Sequence, residues 1–479
     1  MNTGLAVSIS ILAIYLILGT LLAYLSRKKL SGGLEDFFTS RGRLGGFLSA
    51  MTYAATTYSG FMIVGLVGFA YSTGIGALGF ELSYFVATLG LLTLLSRRVY
   101  RRSRERKWIT PSQMLADLFG DRRIAVIVGI IYLIALIPYA ASQLKSIGEA
   151  IAGLAGGYYA LGVVVGLLII IAWSSIAGIW SVALTDALQG LWMILSALLL
   201  LGYVVWLWTS NAGDLGSAWT VLGEKGLDRL GGFWTLNTYL AFTLPWIFFA
   251  VTNPQVVQRL YMPRDEESLG KMIRWFGLFG LIYTIIVTLI GLYARAGVEA
   301  GYLSINPKGK DQVTPLLLSI MSPVLAGIVF TSIIAASAST ADSILLTLSS
   351  VVAVDLARGD ETRRKRIALA SIVVVGVLMA VVALSRVSYI VQLSVLSSLI
   401  LLSLAPPTLA GWLLSVKKSS IWPILAILSG PVIVALVTVI EGSPLKAFAS
   451  HPLGVPIAGW ILIVSTILTI PSIEGEVSA

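Results

Sequence analysis

Five ionisable side chains stand inside stretches otherwise suited to hydrocarbon: Glu81, Lys145, Glu149, Asp186 and Asp342. A charge in such a place is costly, so each is read first as functional. Asp342 lies in Ala335-Ala336-Ser337-Ala338-Ser339-Thr340-Ala341-Asp342-Ser343. At about 100° per residue, Ala336, Ser339, Thr340, Asp342 and Ser343 fall on one helical arc. Hydroxyls beside a carboxylate are the oxygen ligands that hard cations take, and small neighbours let a second helix come close. A packing face whose hydroxyls bond back to carbonyls would explain the serines but not the aspartate. A cation site is therefore expected here. For Asp186, in Thr185-Asp186-Ala187-Leu188-Gln189, the alternative is a helix-start cap after Gly178. Lys145 and Glu149 are four apart on one helix face and are expected to neutralise each other near its outer end.

Two segments have the composition of interrupted helices. One is Ala54-Ala55-Thr56-Thr57-Tyr58-Ser59-Gly60-Phe61; the other runs from Leu244-Pro245-Trp246 to Thr252-Asn253-Pro254-Gln255. A break frees backbone carbonyls and amides, which a bilayer tolerates only around a protein-lined cavity. Paired breaks at corresponding places in two halves are the sequence mark of a transporter site.

These residues need elements to hold them, and composition decides which. Of 479 residues 57% are hydrophobic and 12% charged, against about 25% charged in a soluble domain. The mean hydropathy is +0.91. An all-α polytopic membrane protein follows, with about thirteen spans near 4–26, 45–72, 75–96, 124–153, 158–176, 180–208, 234–258, 272–295, 313–352, 367–386, 389–414, 420–441 and 453–472. The ninth is overlong and is expected to continue into the cytoplasm. The first, followed by Arg27-Lys28-Lys29, reads as an uncleaved helix with its N-terminus outside. On that topology 25 Lys/Arg fall on cytoplasmic loops and 7 on external ones, with Lys145 in a span, as the positive-inside rule requires. The net charge of +10 is thereby topology, and nucleic acid is not an expected partner. The breaks fall in spans 2 and 7. A five-span repeat inverts the halves, giving repeats at about 45–208 and 234–414 within one domain, with 4–26, 420–441 and 453–472 as extra helices.

With no cysteine and one histidine, His451, a transition-metal site and a histidine-based catalytic dyad are excluded. A Walker phosphate loop is absent too, so neither an enzyme nor ATP drive is expected. Sparse Cys and Asn suit a thermophile. Thr110-Pro111 is expected to start a short helix in the basic 97–123 loop.

Glu35-Asp36-Phe37-Phe38 leading into Leu44-Gly45, Ala55…Ser59-Gly60, Thr185-Asp186…Gln189, Asn253…Gln258-Arg259 and Ser339-Thr340…Ser343 together resemble the sodium:solute symporter family of bacterial proline, sialic acid and sugar transporters. The resemblance implies the leucine-transporter-type inverted repeat, usually with thirteen spans. It implies a sodium site of backbone carbonyls at Ala55, Tyr58 and Ala336 with the hydroxyls of Ser339 and Thr340. It implies a second cation or proton site at Asp186, Asp342 and Ser343, also reaching Ser339, with Asp342 standing where such members carry a hydroxyl. Thr57 replaces the aspartate of proline transporters. Glu81 falls where the sugar branch binds substrate, the alternative being a carboxylate satisfied by Ser83. Phe61, Glu81, Tyr139, Trp246 and Phe249 would line the solute cavity.

The expected activity is Na⁺-coupled symport of an amino acid such as proline, a monocarboxylate or a sugar by alternating access, with Na⁺ as coupling ion and no organic cofactor. The protein is expected to work as a monomer in the prokaryotic cell membrane, C-terminus cytoplasmic. The alternatives are a proton-driven carrier using Asp186 and Asp342, and a non-transporting sensor, which the short tail disfavours.

Overall fold

The computed structural model describes residues 3–155 and 157–474. Among them the only β pairings are isolated bridges, Leu44 with Pro263 and Val416 with Ile473. Helix α1 is Thr3–Ser26. The second span is split into α2 (Gly46–Thr57) and α3 (Phe61–Thr73), bent by 46°. Then come α4 (Gly76–Arg106), α5 (Arg122–Ala155), α6 (Tyr159–Ala177) and α7 (Ile179–Ala212). The second half holds α8 (Leu236–Ile247), α9 (Glu266–Glu299), α10 (Pro323–Val351), α11 (Glu361–Ser385) and α12 (Ile390–Leu401). Helices α13 (Trp422–Glu441) and α14 (Ile457–Thr469) follow.

Ten helices of the described residues are long and apolar enough to cross a membrane, eleven counting α2 with α3. Thirteen is reached only if the short helices in the segments expected at 234–258 and 453–472 are added. The ninth span departs from expectation. Its excess is mostly a separate helix, Val313–Leu318, cut off before Pro323 takes the first turn of α10. At its other end α10 continues through one π-helical turn, Val352–Leu356, so that the apolar helix runs over Pro323–Leu356, 34 residues.

The two halves repeat in how they pack. Helix α9 lies along α2 as α4 lies along α8; α10 packs on α7 as α12 packs on α5; and α5–α6 is matched by α10–α11. Exchanging the second to sixth spans with the seventh to eleventh reproduces each contact, the relation expected of an inverted repeat.

Each break has a local cause. Tyr58 leaves the helix with extended backbone (φ −96°, ψ 108°). The freed amides find side chains: Gly60 N donates to Gln143 Oε1 at 3.2 Å and Phe61 N to Ser59 Oγ at 3.0 Å. Glycine is needed because a Cβ at residue 60 would lie 2.6 Å from Ser146 Oγ on α5. In the other half the chain turns at Phe248 and again at Asn253 (φ −86°, ψ 115°), where Pro254 starts a single new turn.

Loops on one side are pinned by polar contacts. Thr110 caps the helix Pro111–Phe119, accepting from Gln113 N, and the Thr110 and Ser112 hydroxyls donate to Asp355 at 2.8 and 2.6 Å. Asp36, in the short helix Leu34–Thr39 that follows α1, accepts from Ser31 Oγ at 2.9 Å, Trp180 Nε1 at 3.1 Å and the Arg43 guanidinium. Burial would raise its carboxyl, but these donors outweigh it and hold the group below the ordinary aspartate range.

Candidate functional site

The end of α2 presents carbonyls without helical partners, because the amides that would take them lie beyond the break. Two hydroxyls from α10 reach them. Ser339 Oγ donates to Ala55 O at 2.8 Å, and Thr340 Oγ1 lies 3.2 Å from Ala55 O and 3.1 Å from Thr56 O. Ser339 Oγ is also 2.9 Å from Ala336 O, one turn back on its own helix. The structure thus gathers Ala55, Ala336, Ser339 and Thr340 into one oxygen cluster and adds the Thr56 carbonyl. Tyr58 supplies the first carbonyl past the helix end. All these residues are fully buried. Several oxygens at a helix C-terminus, with no amine or guanidinium bonded to them, are a donor set suited to a monovalent hard cation.

Beside this cluster lies an ionic knot that sequence reasoning did not assemble. Arg259, 1% exposed, donates from Nη1 to Gln255 O at 2.8 Å, from Nε to Thr52 O at 3.2 Å, and from Nη2 to Ser343 Oγ. Its Nη2 is 3.7 Å from Asp186 Oδ2, which accepts from Thr52 Oγ1. Ser343 Oγ in turn lies 2.7 Å from Thr56 Oγ1. The expectation that Asp186, Asp342 and Ser343 would share one site is therefore modified. A guanidinium sits between Asp186 and Ser343, while Asp342 accepts from Ser174 on α6 at 2.9 Å. Asp186 Oδ1 and Asp342 Oδ2 have no hydrogen-bond partner among the described residues.

The proposed solute residues converge between the two breaks. Phe61 stacks on Trp246 with centroids 4.8 Å apart, and Trp246 stacks on Phe249 at 5.1 Å and 7°. Tyr139 meets Phe249 edge-on at 6.3 Å. Tyr84, not anticipated, abuts both Trp246 and Phe249, at 5.1 and 5.6 Å. Glu81 is fully buried one turn before Tyr84, and neither carboxylate oxygen has a partner among the described residues. Ser83 does not satisfy it: its hydroxyl pairs with Tyr239 OH at 2.8 Å and with Gly79 O. The Tyr84 hydroxyl and the Trp246 indole N–H likewise have no partner among the described residues. Buried polar groups left in this state need a ligand or water to offset their desolvation.

Lys145 corrects the sequence reading. Its ammonium pairs with Asp311 Oδ2 at 2.8 Å and donates to Ser388 O at 2.7 Å, not to Glu149. Asp311 stands just before the helix Val313–Leu318 and accepts from Ile390 N at 3.1 Å, so the pair ties α5 to the segment leading into that helix and to the start of α12. Burial pushes the Asp311 carboxyl up, against the opposing pull of Lys145.

Comparison with known proteins bears on this geometry. The model of the sodium:solute symporter family matches residues 37–421. A sodium/proline symporter of Staphylococcus aureus is 25% identical over 372 residues, spanning 73% of this chain and 69% of that protein. The structure of a Na⁺-coupled sialic acid symporter in a substrate-bound outward-open state superposes with TM-score 0.77 at 19% identity, over 99% of this chain and 98% of the other. A nucleobase-cation-symport-1 family transporter in a closed conformation gives TM-score 0.51 at 15% identity, over 91% and 93%.

Proposed function

The chain belongs to the sodium:solute symporter family and is a multi-pass membrane protein carrying out Na⁺-coupled solute symport; from that premise we propose which residues do the work. Na⁺ binds the carbonyls of Ala55, Tyr58 and Ala336 and the hydroxyls of Ser339 and Thr340. The observation that carries this is the pair of α10 hydroxyls on the Ala55 carbonyl at the end of α2. An ion there ties the broken second span to α10 and favours one conformer. The affinities of ion and solute for that conformer are then linked reciprocally. A membrane potential contributes about 2.3 kcal/mol per charge per 100 mV toward inward release.

The solute binds among Phe61, Glu81, Tyr139, Trp246 and Phe249, joined by Tyr84. The unpartnered Glu81 carboxylate favours a solute bearing an ammonium or hydroxyl group. Asp186, Asp342 and Ser343 serve as the second ion or proton site, with Arg259 supplying part of the positive charge there. The N-terminus lies outside and the C-terminus in the cytoplasm, supported by the basic-residue bias. Moving the buried Arg259 out of the loop tally leaves 24 against 7. The chain works as a monomer, with inverted repeats at about 45–208 and 234–414.

A thermal-shift screen of amino acids, monocarboxylates and sugars, with and without Na⁺, tests this reading, since a ligand of the folded state stabilises it by mass action. The expected result is a solute whose stabilisation grows with Na⁺. A solute that stabilises equally in choline and in sodium would count against coupling at this site.

A further inference from the structure

The start of α5, the end of α10 and the start of α11 border a groove of about 680 Å³. Four guanidinium groups line it: Arg122 and Arg123 from the first turn of α5, Arg358 from the turn after α10, and Arg364 from the first turn of α11. A bias toward basic loops accounts for the sign of these residues but not for their convergence, since they come from stretches far apart in the chain. One carboxylate shares the lining, Asp355, and the Thr110 and Ser112 hydroxyls already bind it at 2.8 and 2.6 Å. Arg123 pairs with Asp121 at 2.7 Å. Arg364 closes the end of α10, donating from Nε to Ala353 O at 2.7 Å and from Nη2 to Val354 O at 3.1 Å. The next two carboxylates in the chain are engaged elsewhere: Asp360 accepts from Arg363 N at 2.9 Å and Glu361 from Leu34 N at 2.7 Å. Arg122 and Arg358 are exposed and make neither an ion pair nor a hydrogen bond among the described residues. Four guanidinium groups against Asp355 and Asp121 leave the groove two positive charges in excess.

The groove lies at the edge of the membrane. The apolar helices Arg122–Leu154 and Glu361–Ser385 begin beside it, and Pro323–Leu356 ends there. One wall is apolar. Val126 lines the groove, and Ile130 and Ile134, 46% and 61% exposed, continue the same face of α5 at four-residue steps. On a spanning helix that exposed stripe faces acyl chains. A ligand lying across this boundary sets a phosphate among the arginines, whose planar fork matches phosphate oxygens, and hydrocarbon along α5. Basic pockets between spanning helices take acidic lipid headgroups for this reason. A free phosphate would use the charge and leave the apolar stripe bare.

We propose that this groove binds an anionic phospholipid, its phosphate held by Arg122 and Arg358 and its chains lying along Val126, Ile130 and Ile134. Such a lipid bridges α5 of the first repeat to α10 and α11 of the second. The site is independent of the ion and solute assignments above.

The test is native mass spectrometry of the delipidated full-length protein in detergent, titrated with dioleoylphosphatidylglycerol or dioleoylphosphatidylcholine, which share chains and differ in headgroup charge. Neither Na⁺ nor solute is present, so failure of the transport reading leaves the measurement untouched. Phosphatidylglycerol is expected to bind about thirtyfold more tightly, the figure for two arginines at about 1 kcal/mol each. Arg122→Gln/Arg358→Gln should bring the two lipids close to parity, and Arg122→Lys/Arg358→Lys should keep most of the preference. Arg97→Gln/Lys107→Gln, which removes the same charge at the end of α4 outside the groove, should leave the preference intact. Glycerol 3-phosphate, the phosphate without chains, should not displace the lipid even in large excess. Equal binding of the two lipids by the wild-type protein would overturn the proposal. So would a preference that survives in Arg122→Gln/Arg358→Gln, one lost equally in Arg97→Gln/Lys107→Gln, or displacement by glycerol 3-phosphate.

Discussion

Removing Arg259 alone should cost more than removing it together with its partner. At 3.7 Å from Asp186, its charge is attracted by about 4–5 kcal/mol at an effective dielectric near 20. Much of that attraction offsets the desolvation of two fully buried groups. Arg259→Met leaves the Asp186 carboxylate buried with only Thr52 as donor, and strands the acceptors on Thr52, Gln255 and Ser343. Breaking one side of a buried pair costs about 3–5 kcal/mol, whereas replacing both by apolar groups is often close to neutral. The assay is thermal unfolding of the detergent-purified protein at one scan rate, because membrane proteins of this size unfold irreversibly. Arg259→Met should lower the midpoint by several degrees, and Arg259→Met/Asp186→Leu should recover at least half of that loss. A double variant no more stable than the single one would refute the pairing as the reason Arg259 is buried.

Three further outcomes follow from the same contacts. Asp36→Asn should destabilise by about 1–3 kcal/mol, the range for a buried acceptor losing charged-group hydrogen bonds. Since the folded carboxyl is held below its ordinary value, its contribution is full above the unfolded pKa and is lost as pH falls through the folded one. The variant should lack that acid-side loss in a midpoint–pH series, and an identical series would count against the Asp36 hydrogen bonds. Lys145→Met should loosen the tie between α5, the segment before the helix Val313–Leu318 and the start of α12. The chain has no cysteine, so Gln392→Cys, in the first turn of α12, supplies a single thiol whose maleimide labelling should speed up several-fold; an unchanged rate would deny Lys145 that role. Glu81→Gln should abolish stabilisation by whichever solute emerges from the thermal-shift screen while preserving stabilisation by Na⁺ alone. Loss of both responses would move Glu81 from the solute site to the scaffold.

What the sequence disclosed depended on whether the cause was local. The breaks were legible because Gly60, Pro245 and Pro254 act on their own backbone, and the Ser339–Thr340 face because helical period alone aligns it with Ala336. Lys145 was paired with Glu149 because the i,i+4 rule sees only one helix. Asp311, its partner, is brought there by the packing of two distant segments. Arg259 was counted among loop cations because it follows an apolar span. Its setting of Val256, Val257 and Leu260, one helical turn after Gln255, was the available sign that it points inward. Tyr84, one turn beyond Glu81 on α4, could have been found by the same periodic argument that aligned the α10 hydroxyls. The ninth span was misjudged at its start: Ser322-Pro323 carried the signal that divides it.

The central claim is that Na⁺ is held where α10 meets the end of α2. The direct measurement is saturation binding of radiolabelled Na⁺ to purified wild-type protein and to Ser339→Ala/Thr340→Ala, with monodispersity checked by size exclusion. Each oxygen lost from a charged partner is worth about 1.5–3 kcal/mol, so removing two should weaken binding at least about a hundredfold in a folded protein. Na⁺ affinity in the monodisperse double variant equal to that of the wild type would contradict the account.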